Sequence, residues 1–165
     1  MQRRTLVVIL LGVAASLQAQ DSPEKAFRYR GSGYVLFGAG ACQHRVPAVH
    51  ISGGGEAFVF RGLSVGGELG YHTFVERYAT GFGVGTMTVG YHFVDRDTPK
   101  RFDPFVSMGF PGFYATREFG GGAAGSLGGG LTYWFKRKIG LRAEYRIYAL
   151  AEEGIQTFRI GLSFR

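Results

Sequence analysis

A single cysteine among 165 residues leaves Cys42 with no partner in the chain, so an internal disulfide is excluded and stability must come from elsewhere. No cysteine lies near the amino-terminal processing site, which argues against a lipid-anchored lipoprotein. Long hydrophobic runs are also missing. The longest, Leu6 to Ala15, is about ten residues and cannot cross about 30 Å of hydrocarbon as a helix. No stretch holds a 3.6-residue apolar period, and 28 glycines penalise helix wherever they fall. The formal charge is +7, but along the sequence most of the arginines stand singly, without a basic stripe or base-stacking aromatics, so no nucleic-acid partner is expected.

What the chain does have begins with its leader. Met1 to Arg4 carries two arginines, Leu6 to Ala15 is apolar, and Ser16 to Ala19 is small and polar apart from Leu17. That order of charge, oil and small residues is a secretory signal peptide. Cleavage is expected after Ala19, making 1–19 the signal peptide and 20–165 a single exported domain.

Beyond the leader the apolar period is two. In the last stretch, GIQTFRIGLSFR, Phe158, Ile160, Leu162 and Phe164 fall on one side of an extended chain, with Thr157, Arg159, Gly161 and Ser163 on the other. Eight such segments recur, at about 29–42, 48–60, 63–74, 80–94, 103–115, 122–135, 139–150 and 154–164. Their spacing of about 18 residues suits long tilted strands crossing a bilayer. The expected architecture is an all-β, eight-stranded, antiparallel, up-and-down transmembrane barrel. Arg61-Gly62, 95–101 and 136–138 then become periplasmic turns, and 43–47, 76–79, 116–121 and 151–153 short outer loops, too short for a receptor head or a plug.

A charge facing lipid near the midplane costs roughly 2–4 kcal/mol, which decides the faces. Arg159 on strand eight and Arg142, Glu144 and Arg146 on strand seven must look inward. So must His50, Ser52 and Glu56 on strand two, and Glu68 and His72 on strand three. Buried charges need partners. Avoiding like charges across a ladder sets Glu144 opposite Arg159, and places Gly128 and Gly130 opposite Arg146 and Glu144, where glycine leaves room for long side chains. The same rule sets Glu56 and Glu68 opposite Gly66 and Gly54 and His50 beside His72, with glycine at the left-handed position of a Phe60-Arg61-Gly62 turn. Aromatic girdles are expected from Phe60, Tyr91, Phe93, Phe105, Tyr133, Phe135 and Phe164 at the periplasmic end, and Phe74, Tyr78, Phe82 and Phe113 at the other. Pro111 predicts a bulge or an end of pairing near the outer rim.

With its leader, eight alternating segments and aromatic-ended last strand, the chain resembles the small eight-stranded outer-membrane barrels of the outer-membrane-protein-A-like and X-like group. That resemblance implies residence in the bacterial outer membrane, outer-membrane lipid as the surroundings, and a monomer. It also implies recognition of the last strand by the barrel-assembly machinery, here through Phe158, Ile160, Leu162 and Phe164, with Arg165 following the terminal aromatic. It is a resemblance of architecture and transfers no functional motif.

Candidate chemistry is sparse, and no cofactor, metal or catalytic residue is assigned. The glycine pattern at Gly120, Gly122 and Gly125 fits a dinucleotide loop, but no helix pattern follows. Ala124 to Gly128 resembles a hydrolase elbow that lacks its first glycine and its strand-to-helix turn. His50, Ser52 and Glu56 resemble the His-x-Ser pair and separate glutamate of lipid A deacylases with this barrel. They fall on strand two rather than late in the chain, and on the inward face. The leading expectation is a structural or surface-interaction barrel with a salt-bridged interior. A narrow channel or small hydrophobic-ligand conduit is the alternative, and an enzyme follows after that.

Overall fold

Residues 30–42, 47–75, 81–94, 100–116, 122–149 and 154–165 are described by a computed structural model. The expected signal peptide, the loops at 43–46, 76–79, 117–121 and 151–153, and the girdle residue Tyr78 lie outside these residues.

Eight strands follow one another: β1 (Gly31–Cys42), β2 (Pro47–Phe60), β3 (Leu63–Phe74), β4 (Gly81–His92), β5 (Phe102–Thr116), β6 (Gly122–Lys136), β7 (Ile139–Ala149) and β8 (Gly154–Phe164). Each pairs with the next, and β1 pairs antiparallel with β8, so the sheet is a closed barrel with no free edge. Closure satisfies the backbone of every strand from its neighbours, the condition for a sheet to stand in hydrocarbon.

The alternation read from the sequence becomes an outside and an inside. Phe37, Ile51, Leu69, Met87, Leu127, Phe158 and Ile160 are exposed on the outer wall, while Arg142, Glu144, Arg146 and Arg159 are at most 2% exposed. A soluble protein would have this arrangement inverted. The registers are those that charge avoidance required. Glu144 sits opposite Arg159, Gly128 opposite Arg146, Gly54 opposite Glu68, Gly66 opposite Glu56, and His50 opposite His72.

Three expectations are corrected. The left-handed residue of the β2–β3 turn is Arg61, with φ of 45°, and not Gly62. Gly62 is small for another reason: its carbonyl accepts the His92 amide at 2.8 Å, and a Cβ there would lie 2.0 Å from the His92 carbonyl oxygen. Phe82 and Phe105 are not girdle residues. Each shares the inward parity of its strand, with Val84 and Thr86 on β4 and with Asp103 and Ser107 on β5, and both are buried. Apolar aromatic rings incur no penalty on either face, so the charge criterion could not sort them.

At Pro111 the ladder does break. Register shifts occur between Gly109 and Gly112 against β6, and between Gly85 and Met87 on the β4 strand paired with it. Proline has no amide hydrogen to donate, so the strand bulges there and resumes pairing as far as Thr116.

Candidate functional site: the ionic core of the bore

Eight strands enclose a space that side chains can fill. Here they fill it with charge, arranged around three carboxylates. Glu144 on β7 is the central one. It accepts from Arg146 Nε at 2.7 Å, Arg159 Nη2 at 2.7 Å and Arg142 Nε at 3.2 Å. Three cations around one anion would leave excess positive charge, and the other two carboxylates take it up.

Glu68 on β3 reaches across the bore to Arg159, bonding Nη1 through Oε1 and Nη2 through Oε2, the latter at 3.2 Å. The hydroxyls of Tyr34 and Tyr148 each donate to Glu68 at 3.1 Å. Arg159 also donates to the Tyr148 hydroxyl at 2.9 Å and approaches His50 Nε2 at 3.2 Å. Glu56 on β2 accepts from Arg142 Nη1 at 3.1 Å, Ser32 Oγ at 2.8 Å and Ser64 Oγ at 3.1 Å. The Arg142 guanidinium also lies between the rings of Phe105 and Tyr34, at 3.9 and 4.3 Å from their centroids.

His92, at the end of β4, completes the turn-end half. Its Nδ1 meets Asp103 Oδ1 at 2.9 Å and its Nε2 meets Glu56 Oε2 at 3.1 Å. Only the imidazolium donates from both nitrogens. That charge brings three arginines and four carboxylates in the described interior to neutrality, which is the condition for ions to be tolerated away from water.

All eight polar residues expected inside are therefore at the interior, but they do not form one uniform set. Glu56, Glu68, Arg142, Glu144, Arg146 and Arg159 are joined in a single ionic network. His50 and His72 stand at its outer edge with ring centroids 4.1 Å apart. His72 stacks on Phe82 at 5.0 Å and makes no hydrogen bond from either nitrogen. The sequence reading missed Tyr34, His92, Asp103 and Tyr148. The signal for Tyr148 was present, since continuing the β7 alternation past Arg146 turns it inward. The signal for Asp103 was the same lipid-face penalty, applied to a residue two places into β5.

Among the described residues the candidate catalytic trio is not assembled, and the inward glycines face filled space. Ser52 Oγ is 3.4 Å from Arg159 Nη1, whereas the bonds of Glu56 go to Arg142, His92, Ser32 and Ser64, so the three residues do not line up as nucleophile, base and orienter. Inward glycines do not widen the lumen either. A Cβ on Gly128 would lie 2.8 Å from Glu144 Oε1 and 3.0 Å from Arg146 Nε, so the space that glycine frees is taken by those side chains. The candidate dinucleotide and elbow glycines from Gly122 onward lie on strand β6, with no helix for a phosphate or a nucleophile to sit on. Among the described residues no group of three His, Cys, Asp or Glu side chains could hold a metal ion.

No family model matches the sequence, and no curated protein matches it. Solved structures do match the fold. Neisserial surface protein A superposes with a TM-score of 0.61 at 11% identity, covering 86% of this chain and 99% of that one. The chain has the fold of the small outer-membrane barrels. The outer membrane enzyme PagL gives 0.58 at 14% identity, over 80% of this chain and 99% of that one. Ail, the attachment invasion locus protein of Yersinia pestis, gives 0.54 at 12%, over 82% and 95%. One fold thus carries a surface protein, an enzyme and an attachment protein, so role has to be argued from the residues.

Proposed function

We propose that this chain is a bacterial outer-membrane barrel, exported by its amino-terminal signal, with a structural or surface-interaction role and a bore closed by its own side chains. The observation that carries this reading is the cross-bore ionic network. Arg159 on β8 joins Glu68 on β3, and Arg142 on β7 joins Glu56 on β2, so ion pairs tie strands that are not neighbours together across the bore, where a channel would need open water. An enzyme of this fold needs reactive groups that a lipid substrate can reach, and here His50 and Ser52 are each 4% exposed and face inward. The surface-protein and attachment-protein neighbours support the interaction role by fold alone.

Conductance across planar lipid bilayers tests the reading. The refolded chain is expected to give no steady single-channel current at moderate voltage. Reproducible channels from a preparation that retains heat-modifiable gel mobility would replace a plugged barrel with a conducting one.

A further inference from the structure

The net charge of this chain is not spread over it. The connections at the end of the barrel that holds the β2–β3, β4–β5 and β6–β7 turns comprise Arg30, Arg61, the segments 95–101 and 136–138, and Arg165. Together they hold nine lysines and arginines against two aspartates, a formal +7 that equals the charge of the entire chain. The connections at the opposite end, 43–46, 76–80, 117–121 and 150–153, hold three arginines and four glutamates. Residues 1–29 contribute +2 and the ionic side chains of the interior, with histidines neutral, contribute −1.

The cations are placed as a collar. Arg30, Arg61, Arg101, Lys136, Arg137 and Lys138 are exposed and belong to four separate connections, so they surround the rim instead of clustering on one side. Directly along the wall from them lie the exposed rings of Phe60, Tyr91, Phe93, Phe135 and Phe164. Arg61 lies 5.4 Å over the Phe60 ring, which joins the cationic layer to the aromatic one. Aromatic rings at the end of an apolar wall mark the depth where acyl chains meet headgroups.

We infer that this collar binds the anionic headgroups of phospholipids in the leaflet that surrounds the turn end of the barrel. The inference rests on the bilayer-spanning reading above and names the lipid that the spanning barrel selects. Charge complementarity carries it: a ring of side chains at headgroup depth, almost entirely of one sign, attracts phosphate diesters that bear a net negative charge and favours them over zwitterionic ones. The opposite rim, near neutral, has no such preference.

Electron spin resonance with trace spin-labelled lipids measures it. The full chain is inserted into phosphatidylcholine vesicles, and the motionally restricted fraction is compared for labelled phosphatidylglycerol and labelled phosphatidylcholine. The expected result is an enrichment of phosphatidylglycerol of about fivefold for each headgroup site that meets a cation. It should fall as salt shortens the screening length from about 10 Å at 0.1 M to about 3 Å at 1 M. The preference should shrink in a K100Q/R101Q/K136Q/K138Q variant and survive in R77Q/R117Q. Equal restriction of the two lipids by the unaltered protein overturns the inference, as does a preference insensitive to salt or one lost in R77Q/R117Q instead. Retention on peptidoglycan without any lipid preference overturns it in favour of a polymeric partner. A chain that fails to insert, judged by gel mobility, removes the spanning reading together with this one. An inserted barrel with no lipid preference removes this one alone.

Discussion

Two histidine sites divide the bore. At the turn end, His92 is held between Asp103 and Glu56 with both ring nitrogens engaged, and edge and face contacts to Phe58 and Phe105 fix the ring. Toward the outer end, His72 is fully buried against Phe82, Tyr148 and His50, and neither of its nitrogens has a partner. The same side chain thus serves as a charged strut in one half and as a flat ring that fills space in the other. Ions occupy one half of the bore and stacked rings the other, and Arg159 with Tyr148 marks the boundary.

Substitutions can break this division at graded cost. Arg159→Leu should be the most damaging, at about 3–5 kcal/mol, because it leaves the buried Glu68 carboxylate without its cation. Glu144 is less affected, since Arg142 and Arg146 remain on it. Urea unfolding of the vesicle-inserted protein reads the loss, and a wild-type midpoint would mean that Glu68 is not held as described. His92→Leu should follow at about 1.5–3 kcal/mol for a lost charged hydrogen bond, with Glu56 keeping Arg142 and two serines. His72→Phe should move the same midpoint by less than about 1 kcal/mol, because exchanging an unpartnered polar ring for an apolar one of similar shape is near neutral. A loss as large as that of His92→Leu would show that the outer half depends on hydrogen bonding after all.

The parts of this molecule that were legible in the sequence are those where a wrong placement is expensive. Arg142, Arg146 and Arg159 could face only inward, and once they did, the strand periods, the β7–β8 register and the glycines opposite them followed. Phe82, Phe105 and Tyr34 were not legible, because a ring is stable against lipid and stable in a core. The partners of each charge were also hidden. Strand neighbours can be counted from register, but Arg159 meets Glu68 and Arg142 meets Glu56 three strands away across the bore, and sequence spacing carries no trace of such contacts. The β2–β3 turn misled for a related reason. Glycine is there for its closeness to His92 on another strand, while a non-glycine residue takes the left-handed backbone.

The cross-bore ion pairs bear on how the barrel closes. A half-built sheet of β1 to β4 would pair Glu56 with His92 but hold Glu68 without the arginine that arrives on β8, so the partial structure carries uncompensated charge until the last hairpin is in place. Closing the seam between the first and final strands is what brings Arg142 and Arg159 within reach of Glu56 and Glu68, so the neutral pillar belongs to the closed ring alone.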